Sequence, residues 1–110
     1  MSQTLERQIV ERARALIATK KTWTRHAVAR DKNDQLTGWG YPNAVRWCAE
    51  GALLRATHDL TGDVERTGDL AMQTAFRITA GRDRLSNIND SRGHKKVLKL
   101  FDTYLEKMKV

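Results

Sequence analysis

The middle of the chain reads Trp47-Cys48-Ala49-Glu50-Gly51-Ala52-Leu53, a run that mixes small residues with large apolar ones. At about 3.6 residues per turn, Val45, Cys48, Ala49, Ala52, Leu53, Ala56 and Leu60 fall on one face. That spacing predicts a helix from Pro42, which suits a first turn, to about residue 60, with Gly62 as its terminator. Ala49, Ala52 and Ala56, with Gly51 beside them, would let another element approach closely, so this helix should be central. Trp47, Cys48, Gly51, Ala52 and Leu53 are its structural core motif. Cys48, about six residues into such a helix, reads as a buried thiol. Thiols become nucleophiles near helix N-termini or beside cations. Glu50 should pair with Arg46 one turn earlier.

Before this helix, Leu5, Ile9, Ala13, Leu16 and Ile17 predict a helix over residues 3–19, with Ser2 or Thr4 as cap. Residues 22–39 change character: Trp23, Thr24, Val28, Thr37 and Trp39 favour extended chain around the turn cluster Asp31-Lys32-Asn33-Asp34. The expectation is a β-hairpin, residues 23–30 paired with 35–39, lying against helices through Trp23 and Trp39. After the central helix come a weaker helix over 64–80 ending at Gly81, a polar loop over 82–92, and a last helix over 93–108 marked by Val97, Phe101, Tyr104 and Met108. The fold class is therefore α+β, mostly α: about four helices with one hairpin over roughly 23–39, in a single small domain spanning 1–110.

The chain's 110 residues suffice for one core, and its 40% hydrophobic and 30% charged content is that of a globular protein rather than a disordered one. No apolar run approaches the ~20 residues that cross a bilayer, Met1-Ser2-Gln3-Thr4-Leu5-Glu6 lacks the apolar core expected of a signal peptide, and one cysteine precludes an internal disulfide. These features point to the cytoplasm and away from membranes. The net charge of +7 is uneven: residues 1–40 contribute +4, residues 41–80 contribute −1 and residues 81–110 contribute +4. A basic balance favours anionic partners without choosing among them.

Chemistry-bearing patterns are few. His26, His58 and His94 lack zinc-ligand spacing with each other or with Cys48, and no phosphate-cradling glycine loop or other cofactor motif is present. Asn89-Asp90 precedes the last helix, where Asp90 or Ser91 could cap it; the pair is also a candidate polar contact for a ligand. The strongest functional signal is Arg92, Lys95, Lys96 and Lys99, spaced to share a helical face, with Arg82 and Arg84 just upstream. They crowd the N-terminal half of a helix, where the dipole disfavours cations by about 0.3–1 kcal/mol. No aromatic is interleaved with them in sequence, so stacking of bases has no visible platform.

The hairpin chemistry after Trp23, the run Ala44-Val45-Arg46-Trp47-Cys48-Ala49-Glu50-Gly51-Ala52-Leu53, and Asn89-Asp90 before a final helix with Val97 together resemble an uncharacterised bacterial and phage domain family of unknown function. The resemblance covers nearly the whole chain. It departs at Asn33-Asp34, where the family pattern has glycine in the turn, and at Arg92, Lys95 and Lys96, where it has an acidic first turn. It implies a small α-rich domain with a hairpin and brings no activity. Phage members of the family make an accessory role in phage–host conflict conceivable. The reading is a non-enzymatic binding or adaptor protein whose basic C-terminal face meets an acidic protein surface or nucleic acid phosphates. A small enzyme using Cys48 or Asp90, or a structural subunit of a homo-oligomer, are the alternatives.

Overall fold

The computed structural model describes residues 2–108, in which five helices enclose a minimal two-stranded ladder. Helix α1 (Gln3–Leu16) begins where the Ser2 hydroxyl accepts the Leu5 N–H at 3.1 Å. Its buried stripe of Glu6, Ile9, Val10 and Ala13, extended by Ile17, packs on the central helix.

Strands β1 (Ala29–Arg30) and β2 (Arg46–Trp47) pair antiparallel, Ala29 opposite Trp47 and Arg30 opposite Arg46. The expected reversal at 31–34 is there. The Asp31 carboxylate accepts from the N–H groups of Asn33 and Gln35 at 2.9 and 3.0 Å, and Asp34 takes φ 65°. The expected return strand over 35–39 is not: it meets β1 only at a bridge between Arg30 and Leu36. Gly38, Gly40 and Pro42 follow at once, and such residues end a ladder rather than extend it. The chain loops out and comes back at Val45–Trp47, where Val45 N–H donates to Arg30 O at 2.9 Å. The buried Trp47 rewards this register. Its backbone also bonds the 22–24 segment, donating to Thr22 O at 3.0 Å and accepting from Thr24 N–H at 3.1 Å.

Because β2 occupies residues 46–47, the central helix α2 (Ala49–Thr61) starts seven residues later than Pro42, with Cys48 as N-cap. Pro42 sits in a turn instead, and Val45 and Leu60 are exposed rather than facing the core. Ala49, Ala52, Leu53 and Ala56 are buried as their spacing implied. The close approach falls at Gly51, where a Cβ would stand 2.0 Å from the carbonyl oxygen of Val28. The C-cap Gly62 takes φ 65°, a left-handed turn that glycine adopts without penalty.

Helix α3 (Val64–Thr79) is capped by Asp63, which accepts from Arg66 N–H at 3.1 Å, and closes at Ala80 and Gly81. The segment read as a polar loop contains a further helix, α4 (Leu85–Arg92), so the helices number five among the described residues rather than about four. Gly93, at φ 92°, separates it from α5 (His94–Lys107). One core runs through the molecule, including Ile9, Val10, Leu53, Leu85, Val97 and Phe101. No helix among the described residues is long and apolar enough to cross a membrane.

Candidate anion-binding face

Asn89 and Asp90 lie inside α4 and do not cap the last helix. Asn89 is fully buried, and its amide is saturated by protein. The oxygen accepts from Trp23 Nε1 at 2.7 Å and from Ala49 N–H at 2.9 Å; the nitrogen donates to Thr24 O at 3.0 Å and Asp90 Oδ1 at 3.1 Å. Asp90 accepts the N–H of His26, a residue at φ 62°, at 2.9 Å, with His26 Nδ1 3.5 Å from its other oxygen. Burial alone would raise the Asp90 pKa. The hydrogen bonds from His26 and Asn89 and the charges of His26 and Arg25 outweigh it and lower the value below the ordinary carboxylate range. The pair thus rivets the 22–26 segment to α2 and α4. Asn89 has no free polar atom for a ligand, and Asp90 Oδ2 is engaged only by the His26 ring.

Glu50 does not pair with Arg46, whose guanidinium goes to Asp34 at 3.2 Å. Glu50 instead accepts from Arg84 Nη2 and from Ser86 N–H, both at 3.0 Å. Cys48, now at a helix N-terminus, is where an activated thiol would be expected. Burial nevertheless pushes its pKa up, and the backbone N–H groups of Gly51 and Glu50, which pull it down, do not prevail. Its sulfur accepts the Gly51 N–H at 3.3 Å. No three His, Cys, Asp or Glu side chains among the described residues converge as metal ligands would.

The six cations singled out in sequence divide. Arg84 is committed to Glu50. Arg82, Arg92, Lys95, Lys96 and Lys99 are exposed, and among the described residues none has a carboxylate within ion-pair distance. Arg92 does not share a helical ladder with the lysines, because it ends α4 and Gly93 intervenes. The corner so formed spreads the charges over two hollows. Arg92 and Lys95 line one, together with Lys20, Arg25, Trp23 and His94. Arg82, Arg92 and Lys96 line the other with Lys107, where Asp83 is also present. Lys99 lies beyond, one turn along α5 from Lys95 and Lys96. No side chain caps α5, so the positive end of its dipole adds to the same corner.

No tryptophan, tyrosine or phenylalanine is interleaved with these cations in sequence; the fold brings Trp23 to them, against His94, which precedes Lys95. Trp23 and His94 stack at a tilt with centroids 5.2 Å apart, and the Arg25 guanidinium lies 5.3 Å over the Trp23 ring. His94 is held by its Nε2, 2.6 Å from Ile17 O. Only the three-dimensional closure of α1 onto α5 brings Lys20, Trp23 and Arg25 here, so no spacing rule could have found them.

Comparison with curated proteins and with solved structures finds no match to either. The model of a family of unknown function, DUF6197, matches residues 1–106, and the chain belongs to that family.

Proposed function

We propose that this protein is a non-enzymatic binding module whose basic face, built by the end of α4 and the first half of α5, contacts an anionic partner: nucleic acid phosphates or an acidic protein surface. One observation carries the reading. Arg82, Arg92, Lys95, Lys96 and Lys99 are exposed together, and among the described residues none has a carboxylate within ion-pair distance, Asp83 only sharing a hollow with three of them, although carboxylates elsewhere pair readily with arginine. Lys95 and Lys96 also stand in the first turn of α5, where the helix dipole opposes them. An enzymatic role for Cys48 or Asp90 has no comparable support, since Cys48 is buried with its pKa raised and Asp90 is engaged by His26 and Asn89.

The test is retention of a partner from host lysate by immobilised wild type and by the Lys95→Gln/Lys96→Gln/Lys99→Gln variant, with and without nuclease. The expected result is retention by the wild type at low salt that falls steeply as salt rises and is much reduced in the variant. Loss of the partner on nuclease treatment marks nucleic acid; survival marks an acidic protein. A wild type that retains nothing at low salt overturns the reading.

A further inference from the structure

The hollow where α5 begins differs from its neighbour in two respects. Its lining contains no carboxylate, and two of its four cations come from the segment following α1, far from the basic face in sequence. It has a volume of about 570 Å³, within the range of small-ligand sites. Lys20, Arg25, Arg92 and Lys95 therefore face one another across open space with no counter-charge in the lining. Asp90 feels the charge of Arg25, but it is not part of the lining: its Oδ1 accepts from His26 N–H and Asn89 Nδ2, and its Oδ2 lies 3.5 Å from His26 Nδ1.

Arg25 is placed by more than chance exposure. Its guanidinium covers the Trp23 ring and rests on Gly93, where an added Cβ would stand 2.7 Å from Arg25 Nη2. A planar guanidinium on an indole offers both a fork for phosphate oxygens and a flat surface for a base. Arg92 lines this hollow and the adjoining one with Arg82, Lys96 and Lys107. The two hollows are thus neighbours across a single arginine, and their charges form a track rather than a point.

A track of this kind distinguishes among anions. An isolated small anion would satisfy one hollow and leave the other charged. An acidic protein face presents carboxylates on side chains that also need their own solvation, and it has no flat group for Arg25 and Trp23. A nucleic-acid strand supplies regularly repeated phosphates with planar bases between them. Resting on the basic-face reading above, we infer that the hollow at the α4–α5 corner takes backbone phosphates of a nucleic-acid strand, which continues past Arg92 into the adjoining groove.

The experiment measures fluorescence anisotropy of a short labelled oligodeoxynucleotide, an oligoribonucleotide of the same sequence, and labelled polyglutamate, each against salt. The proteins are wild type, Lys20→Gln/Arg25→Gln, Arg25→Lys, and Lys96→Gln/Lys99→Gln. The expected result is that Lys20→Gln/Arg25→Gln weakens oligonucleotide binding by about tenfold and lowers the salt slope by about 0.7 for each phosphate no longer neutralised. Arg25→Lys should keep the slope and lose part of the affinity, because it retains the charge but not the plane. The two oligonucleotides show which sugar is preferred. Binding that responds to Lys96→Gln/Lys99→Gln but not to Lys20→Gln/Arg25→Gln overturns the inference and leaves the basic-face reading standing. Polyglutamate binding as tight as the oligonucleotides, with the same response to Lys20→Gln/Arg25→Gln, overturns the choice of nucleic acid. No binding of any probe at low salt overturns both. Thermal midpoints matching wild type establish that the exposed substitutions leave the fold intact.

Discussion

At the scale of single residues, Gly51 shows how little room the middle of this molecule leaves. The run of small residues around it is visible in sequence, but what the smallness serves is not. Ala49, Ala52 and Ala56 are ordinary buried packing, whereas Gly51 lies under the backbone of the chain entering β1. Its neighbour Cys48 depends on the same approach, since Cys48 N–H donates to Val28 O at 3.3 Å. A side chain could give way; a carbonyl that is also a hydrogen-bond acceptor cannot move without breaking the start of β1. Gly51→Ala should therefore lower stability by at least ~1–3 kcal/mol, the usual range for overpacking, although alanine is the better helix former by about 1 kcal/mol. Urea denaturation followed by tryptophan fluorescence reads this directly. A midpoint equal to or above wild type would show that the Val28 carbonyl does not crowd α2 in solution.

At the scale of elements, what was legible and what was not divides along a physical line. Helices α1, α3 and α5 carry their own apolar periodicity, and α1 its own cap, Ser2, so the sequence located them; the Asp63 cap of α3 came only with the structure. The Asp31 turn was legible for the same reason: its hydrogen bonds are local. Helix α4 is stabilised from elsewhere. It is eight residues of Ser, Asn and Asp among few apolar groups, its N-cap residue Arg84 makes no side-chain cap, and Glu50 of α2 takes over that duty. The register of β1 with β2 was hidden likewise, because Trp47 and not local pattern selects it. The concentration of cations after residue 81 was visible in composition, but their division between α4 and α5 and over two hollows was not. Asn89 is the residue through which this non-local help passes. Asn89→Ala would strip partners from Trp23 Nε1, Ala49 N–H and Thr24 O. Each polar group left buried and unpaired costs about 1–3 kcal/mol. The loss should accordingly be severe enough to shift the urea midpoint markedly. Asn89→Asp should be at least as damaging, because it keeps the acceptor but loses both donated bonds and sets a charge beside Asp90. If the aspartate variant were as stable as wild type, the donor half of this network would have no role in holding α4.

At the scale of the whole molecule, the counterpart of Asn89 is Glu6. This buried carboxylate of α1 accepts from Thr74 Oγ1 at 3.2 Å and from Arg77 Nη1 on α3, and from the Tyr104 hydroxyl of α5 at 2.6 Å. Three helices that meet nowhere in sequence are joined at one side chain. Burial first, then the hydrogen bond to Glu6 and its charge, push the Tyr104 phenol up to about 12, with Arg77 opposing. In the unfolded chain the same phenol titrates near its ordinary value of about 10. The folded state therefore favours the neutral phenol. Its contribution is whole below about pH 10 and is lost as pH rises through about 12. Two measurements follow. The ultraviolet titration of phenolate should contain a late wave that Tyr104→Phe abolishes. The stability gap between wild type and Tyr104→Phe should be constant at neutral pH and close progressively in the alkaline range. A late wave that persists in Tyr104→Phe, or a gap indifferent to alkaline pH, would mean that Glu6 holds α5 by packing alone. The link between α1, α3 and α5 would then have to be sought in the apolar contacts of Ile9, Val97 and Phe101.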